Sequence, residues 1–91
     1  MDKYIYEIVD NSDNEQYFSL GYWTDKKLAI EALDSCNNPY DLGSPVESEE
    51  VGLFEVREHK EGWGSFYNIV KSVKFIEKYN EKRDEYIWVK Q

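Results

Sequence analysis

Only one stretch of this chain reads as a helix, and that limits the fold more than any other feature. Thr24 is a good N-cap, Asp25 suits the positive helix end, and Leu28, Ala29, Ala32, Leu33 and Cys36 recur on one face. Asn37-Asn38-Pro39 ends the period, because Asn tolerates the left-handed conformation and Pro cannot extend a helix. Most other apolar residues fall in short aromatic and β-branched runs, the composition of strands. One helix can cover only one face of the sheet those strands would make.

The first strand is predicted over Tyr4-Ile5-Tyr6-Glu7-Ile8-Val9, and it runs into the turn formers Asp10-Asn11-Ser12-Asp13-Asn14-Glu15. Tyr17 to Trp23 has the same composition, so the two segments read as an antiparallel hairpin. Leu53-Phe54-Glu55-Val56-Arg57 reads as a third strand, and Glu61-Gly62-Trp63-Gly64-Ser65 as the turn that ends it. Residues 66–79 fit two periods: Phe66, Ile69, Val70, Val73 and Ile76 make a helical stripe, while Tyr67, Ile69, Val73, Phe75 and Tyr79 alternate. The β-branched content favours a strand. Asn80-Glu81-Lys82-Arg83-Asp84 then turns the chain into a last strand, Tyr86-Ile87-Trp88-Val89.

The expected architecture is α+β, in the order ββαβββ: a mainly antiparallel five-stranded sheet with one helix. Ninety-one residues suffice for one core and not two, so residues 1–91 are read as a single domain. The first strand is apolar or aromatic on both sides, with Ile5 and Val9 on one and Tyr4, Tyr6 and Ile8 on the other. Sheet curvature and the aperiodic segment 37–50 are the expected cover for the second face. A binding partner, or a second subunit in a homodimer, would serve the same purpose.

Charge is unevenly placed. Residues 1–50 carry twelve Asp and Glu against three Lys, a net of −9, whereas residues 51–91 carry seven acids against eight bases, a net of +1. Such a field attracts basic partners and repels nucleic acid and anionic membranes. Lys71, Lys74, Lys78, Lys82, Arg83 and Lys90 do gather toward the C-terminus, but Glu77, Glu81, Asp84 and Glu85 interleave with them. Direct nucleic-acid or membrane binding is therefore not expected. With no basic n-region, no long apolar run and a single cysteine, the expected compartment is cytoplasmic, in a bacterial or phage setting.

Catalytic signals are sparse. Cys36 and His59, the sole residues of their types, could pair as nucleophile and base, but Cys36 falls on the apolar helix stripe, where a thiol is an inert small hydrophobe. The run from Asp10 to Glu15 lacks the glycine and distal glutamate of a calcium loop, and Gly62-Trp63-Gly64-Ser65 lacks the lysine of a phosphate loop. No catalytic residue, metal site or cofactor is expected, and the chain is not read as an enzyme.

The remaining signal is the acidic half. Glu7, Asp10, Asp13 and Glu15 cluster about the first hairpin turn, and Tyr40, Asp41, Glu47, Glu49 and Glu50 share the long loop. Tyr17, Tyr22 and Trp23 lie close to the first group. Acids that steer and aromatics that anchor are what an interface with a basic protein uses. The leading expectation is an acidic inhibitor that neutralises a basic protein partner, as a toxin-immunity protein or antitoxin does with a nuclease. The alternatives are a phage-encoded DNA mimic that blocks a restriction or CRISPR nuclease, and a ligand-binding domain or enzyme built on the aromatic sheet face.

Overall fold

A computed structural model describes residues 3–13, 16–43 and 51–91. Strands β1 (Tyr4–Asp10) and β2 (Phe18–Trp23) precede helix α1 (Lys26–Ser35), a short 3-10 helix follows at Pro39–Leu42, and β3 (Val51–Lys60), β4 (Asn68–Asn80) and β5 (Glu85–Lys90) complete the described chain. All five strands form one antiparallel sheet in the order β2-β1-β3-β4-β5. With one helix on one face, this is the α+β class that the pattern predicts. No helix among the described residues is long and apolar enough to cross a membrane.

Helix α1 starts one residue later than the sequence suggests. Asp25, not Thr24, is the N-cap, and its Oδ1 accepts from the Leu28 amide at 3.1 Å. The buried stripe is Ala29, Leu33 and Cys36, with Ala32 beside it. Each residue turns the helix by about 100°, so Leu28 falls outside that stripe and is 54% exposed, against its predicted place in the core. Beyond the helix, residues 37–43 of the segment read as aperiodic are locally ordered. Asn38 Oδ1 accepts from the amides of Tyr40 (2.9 Å) and Asp41 (3.1 Å), while Asp41 Oδ2 accepts from those of Asn37 (2.8 Å) and Asn38 (3.3 Å). This reciprocal capping box builds the 3-10 turn, with Pro39 at its start.

The core lies between α1 and one sheet face. Tyr6, Ile8, Phe54, Val56, Val73 and Phe75 meet Ala29, Leu33 and Cys36 there, and the Phe54 and Phe75 rings pack edge to face with centroids 5.8 Å apart. The helix C-terminus has no glycine cap. Lys90 on β5 supplies the donors instead, its Nζ bonding the carbonyls of Asp34 and Cys36. Lys71 Nζ adds an ion pair to Asp34 at 3.1 Å.

Two bulges set which side chains reach which face. In β2, Ile8 pairs with Gly21 and Val9 with Ser19, so Leu20 is extra and packs on the core. Gly21 takes φ +141°, a conformation that side chains disfavour, with the Trp23 ring 3.3 Å from where a Cβ would lie. In β4, Val56 pairs with Lys71 and Arg57 with Ile69, leaving Val70 extra. That insertion resolves the double period of residues 66–79. Alternation reverses across the bulge, so Ile69 and Val73 point to opposite faces and the sequence mimics a helical stripe.

Candidate protein-binding face

The sheet face opposite α1 is assembled by register. Glu7 on β1 stands between Arg57 on β3 and Tyr22 on β2, Ile5 pairs with His59, and Val9 lies between Glu55 and Ser19. Same-face neighbours in a strand are two residues apart, so Glu55, Arg57 and His59 project together. This face is not a bare hydrocarbon surface. Its centre is buried, yet three of the residues there are charged: Glu7, Glu55 and Arg57 are 6%, 8% and 6% exposed.

Each of those charges has a partner. Arg57 Nε donates to Glu55 Oε2 at 2.7 Å, and Asn11 Nδ2 donates to the other oxygen, Oε1, at 3.3 Å. The flat guanidinium is sandwiched between tyrosines, with Cζ 4.6 Å from the Tyr17 ring centre and 4.3 Å from that of Tyr67. Cation–π contacts of this kind gain strength as water is excluded. His59 continues the row, its ring centre 5.8 Å from that of Tyr67. On the far side of Arg57, Glu7 Oε1 lies 3.0 Å from His59 Nε2. Burial alone would raise the pKa of Glu7. Hydrogen bonds from Ser19, His59 and Tyr22 outweigh it and hold the carboxyl below its ordinary value.

The result is a pre-ordered platform of planar groups. Tyr17 and Tyr22 stand at its edge, 56% and 65% exposed, with Ile5 and Ile69 also open to solvent. The buried ions beneath are already stripped of water and paired, so a partner landing on the tyrosines need not desolvate them. Trp23, the third aromatic expected near this region, projects to the opposite face, because it pairs with Tyr6 of the core.

The acids predicted to bind a partner divide by position. Glu7 and Asp10 are buried, and Asp10 Oδ1 accepts from the Ser12 amide (3.0 Å) and hydroxyl (2.6 Å) in a local turn. Asp13 is exposed at the end of that turn. Tyr40 is 60% exposed, and the exposed Asp41 holds the 3-10 turn through the capping box already described. Glu15, Glu47, Glu49 and Glu50 lie outside the described residues. The turn after β1 is tied to the start of β3 at one end of the sheet. Asn11 N donates to Leu53 O at 2.8 Å, Leu53 N donates to Ser12 Oγ at 2.9 Å, and Pro39 lies against the neighbouring Gly52.

Cys36 and His59 do not form a pair, since one lies under α1 and the other on the opposite face of the sheet. Burial pushes the Cys36 thiol up, the Lys90 ammonium opposes this, and Sγ donates to Leu33 O at 2.9 Å. Gly62 and Gly64 both take positive φ, as a simple turn requires. Among the described residues no group of three or more His, Cys, Asp and Glu is placed to hold a metal ion.

Sequence reasoning missed Arg57, Tyr67 and the Glu7–His59 pair as parts of one site. A faint signal exists: Glu55, Arg57 and His59 place ionisable residues at every second position of a strand, opposite a strand that carries Glu7. Comparison with known proteins found no matching family model, no similar curated protein and no similar solved structure. The functional reading therefore stands on geometry and charge.

Proposed function

We propose that this chain is a small binding module that holds a basic protein partner on the sheet face opposite α1. The observation that carries the reading is the pairing of exposed Tyr17 and Tyr22 with an internally satisfied network beneath them, the buried Arg57–Glu55 pair and buried Glu7 on a half-buried His59. Tyrosines on a rigid base lose little freedom on docking, and Tyr and Arg are enriched among residues that dominate interface energy. The net charge of −8 gives the sign of the partner, with the acidic excess in the first half of the chain. The narrower form of the proposal is inhibition: an immunity or antitoxin role in which the module covers the cationic cleft of a nuclease. Such a module works in the cytoplasm by occupancy, without chemistry of its own.

Capture of the partner from the native host by tagged protein, followed by mass spectrometry, tests the sign of charge directly. Tyr22→Ala should then weaken the complex about tenfold or more, chiefly through faster dissociation, and Tyr17→Ala should act likewise. Neutralising Glu47, Glu49 and Glu50 together to Gln should slow association and flatten its salt dependence. An acidic or nucleic-acid partner, or full affinity in both tyrosine variants, would sink the proposal.

A further inference from the structure

A separate surface lies along α1. Trp23, Leu28, Ala32 and Ser35 line a shallow groove there, with Glu31 and Asp34 as its charged residues. Trp23 is only partly buried, and Leu28 beside it is 54% exposed. A lone exposed leucine is unremarkable, but here it joins an indole and an alanine in one apolar floor. The charged residues that line the groove are both acidic, although the Lys90 ammonium reaches the Asp34 carbonyl at its end. Asp34 is bridged by Lys71 in an exposed ion pair, and no ion pair to Glu31 occurs among the described residues. Lys26 leans away toward Glu58, and Lys27 is not one of the groove residues.

We infer that this groove is a second docking surface, and that its occupant is a basic amphipathic segment of a partner protein. One apolar side chain of that segment would seat against Trp23, Leu28 and Ala32, while a flanking Lys or Arg meets Glu31. Charge selects this occupant over others. A second copy would bring the same acidic residues and the same net charge of −8, while nucleic acid and anionic lipid are repelled by both. Helix-lined apolar grooves take amphipathic segments through anchors at helical spacing, and carboxylates at the rim set the polarity. This inference shares only the sign of charge with the proposed function and uses the other side of the molecule, so each can fail alone.

The probe is a short acetylated and amidated leucine–lysine peptide with its leucines on one helical face, and the control has glutamate in place of lysine. Titrated into the ¹⁵N-labelled full chain, the basic peptide should shift the resonances of Trp23, Leu28 and Ala32 saturably, and the acidic peptide should not. Leu28→Glu separates anchoring from plain attraction. The substitution adds a negative charge at a helical turn that favours acids, so simple electrostatics predicts tighter binding, whereas loss of the apolar seat predicts weakening of about tenfold. Leu28→Gln, which leaves the charge unchanged, should weaken binding similarly, and Glu31→Gln by a smaller factor. Unchanged Leu33 and Phe75 resonances in these variants would verify the fold. Tighter binding by Leu28→Glu, undiminished binding by Leu28→Gln, shifts confined to the Tyr17 and Tyr22 face, or no saturable binding each overturns the inference.

Discussion

The two faces of this sheet bury their centres by different physics. Under α1 the buried groups are hydrocarbon: Ile8, Val56, Phe75, Ala29 and Leu33 are all 0% exposed. On the other face Glu7, Glu55 and Arg57 reach nearly the same burial, covered by the rings of Tyr17 and Tyr67 and by their own pairing. Hydrocarbon burial is non-directional and roughly proportional to area, so the helix side should lose stability in proportion to what is removed. Buried charge is conditional on its partner, so the polar side should fail when one member is lost and recover when both go.

The hardest test of that contrast is Arg57→Ala. It leaves Glu55 buried without its guanidinium and uncovers two tyrosine rings, so we expect a loss of about 3–5 kcal/mol by chemical denaturation. Arg57→Met combined with Glu55→Leu should recover most of it. A double variant as unstable as the single one would mean that the ions contribute more than mutual satisfaction. Next in size is Leu33→Ala on the helix side, at about 2–5 kcal/mol from lost transfer energy and the cavity left behind. That loss should be the same at low and high salt, and an unchanged denaturation midpoint would show that α1 is not docked as described.

Acid should weaken the fold through the polar side. The Glu7 carboxyl is held below its ordinary value when folded, so the unfolded chain binds its proton more readily. Its contribution is therefore complete above about pH 4.3, the unfolded carboxylate value, and disappears as pH falls through the lower folded value. Glu7→Gln should be less stable at neutral pH and should flatten the acid limb of the stability profile in that window. A parallel acid limb in the variant would assign the pH dependence elsewhere. The smallest expected effect concerns the start of α1: Asp25→Ala should cost about 1 kcal/mol by thermal denaturation, and Thr24→Ala much less. Equal losses would restore Thr24 as the cap.

Legibility followed the same division. The strands and helix were readable because aromatic and β-branched runs and one helical stripe report local preference and burial together. The clearest boundary error, at Thr24 and Asp25, came from two adjacent residues that are both good caps, of which only one has its side chain within reach of the Leu28 amide. Leu28 belongs to the helical stripe yet not to the core, because a stripe of five positions is wider than the surface one helix can bury here. The candidate site was far less visible. Tyr17 and Tyr22 stand out as aromatics beside acids, but Arg57 and His59 offer only the faint signal of ionisable residues at alternate strand positions, Tyr67 offers none, and Glu7 lies some fifty residues away from His59 in the chain.

By itself, the sequence determined the α+β class, one helix against an antiparallel sheet, and a negative field with its excess in the first half, because composition, periodicity and charge are local properties that add along the chain. Only the tertiary structure decided which charges are exposed. Register set Glu7 between Arg57 and Tyr22, the Val70 bulge turned Ile69 to the tyrosine face, and the bond between Ser12 and Leu53 tied the turn after β1 to β3. Each of these depends on which strand lies beside which. A one-residue change of pairing moves a side chain to the opposite face, and no local property records that choice.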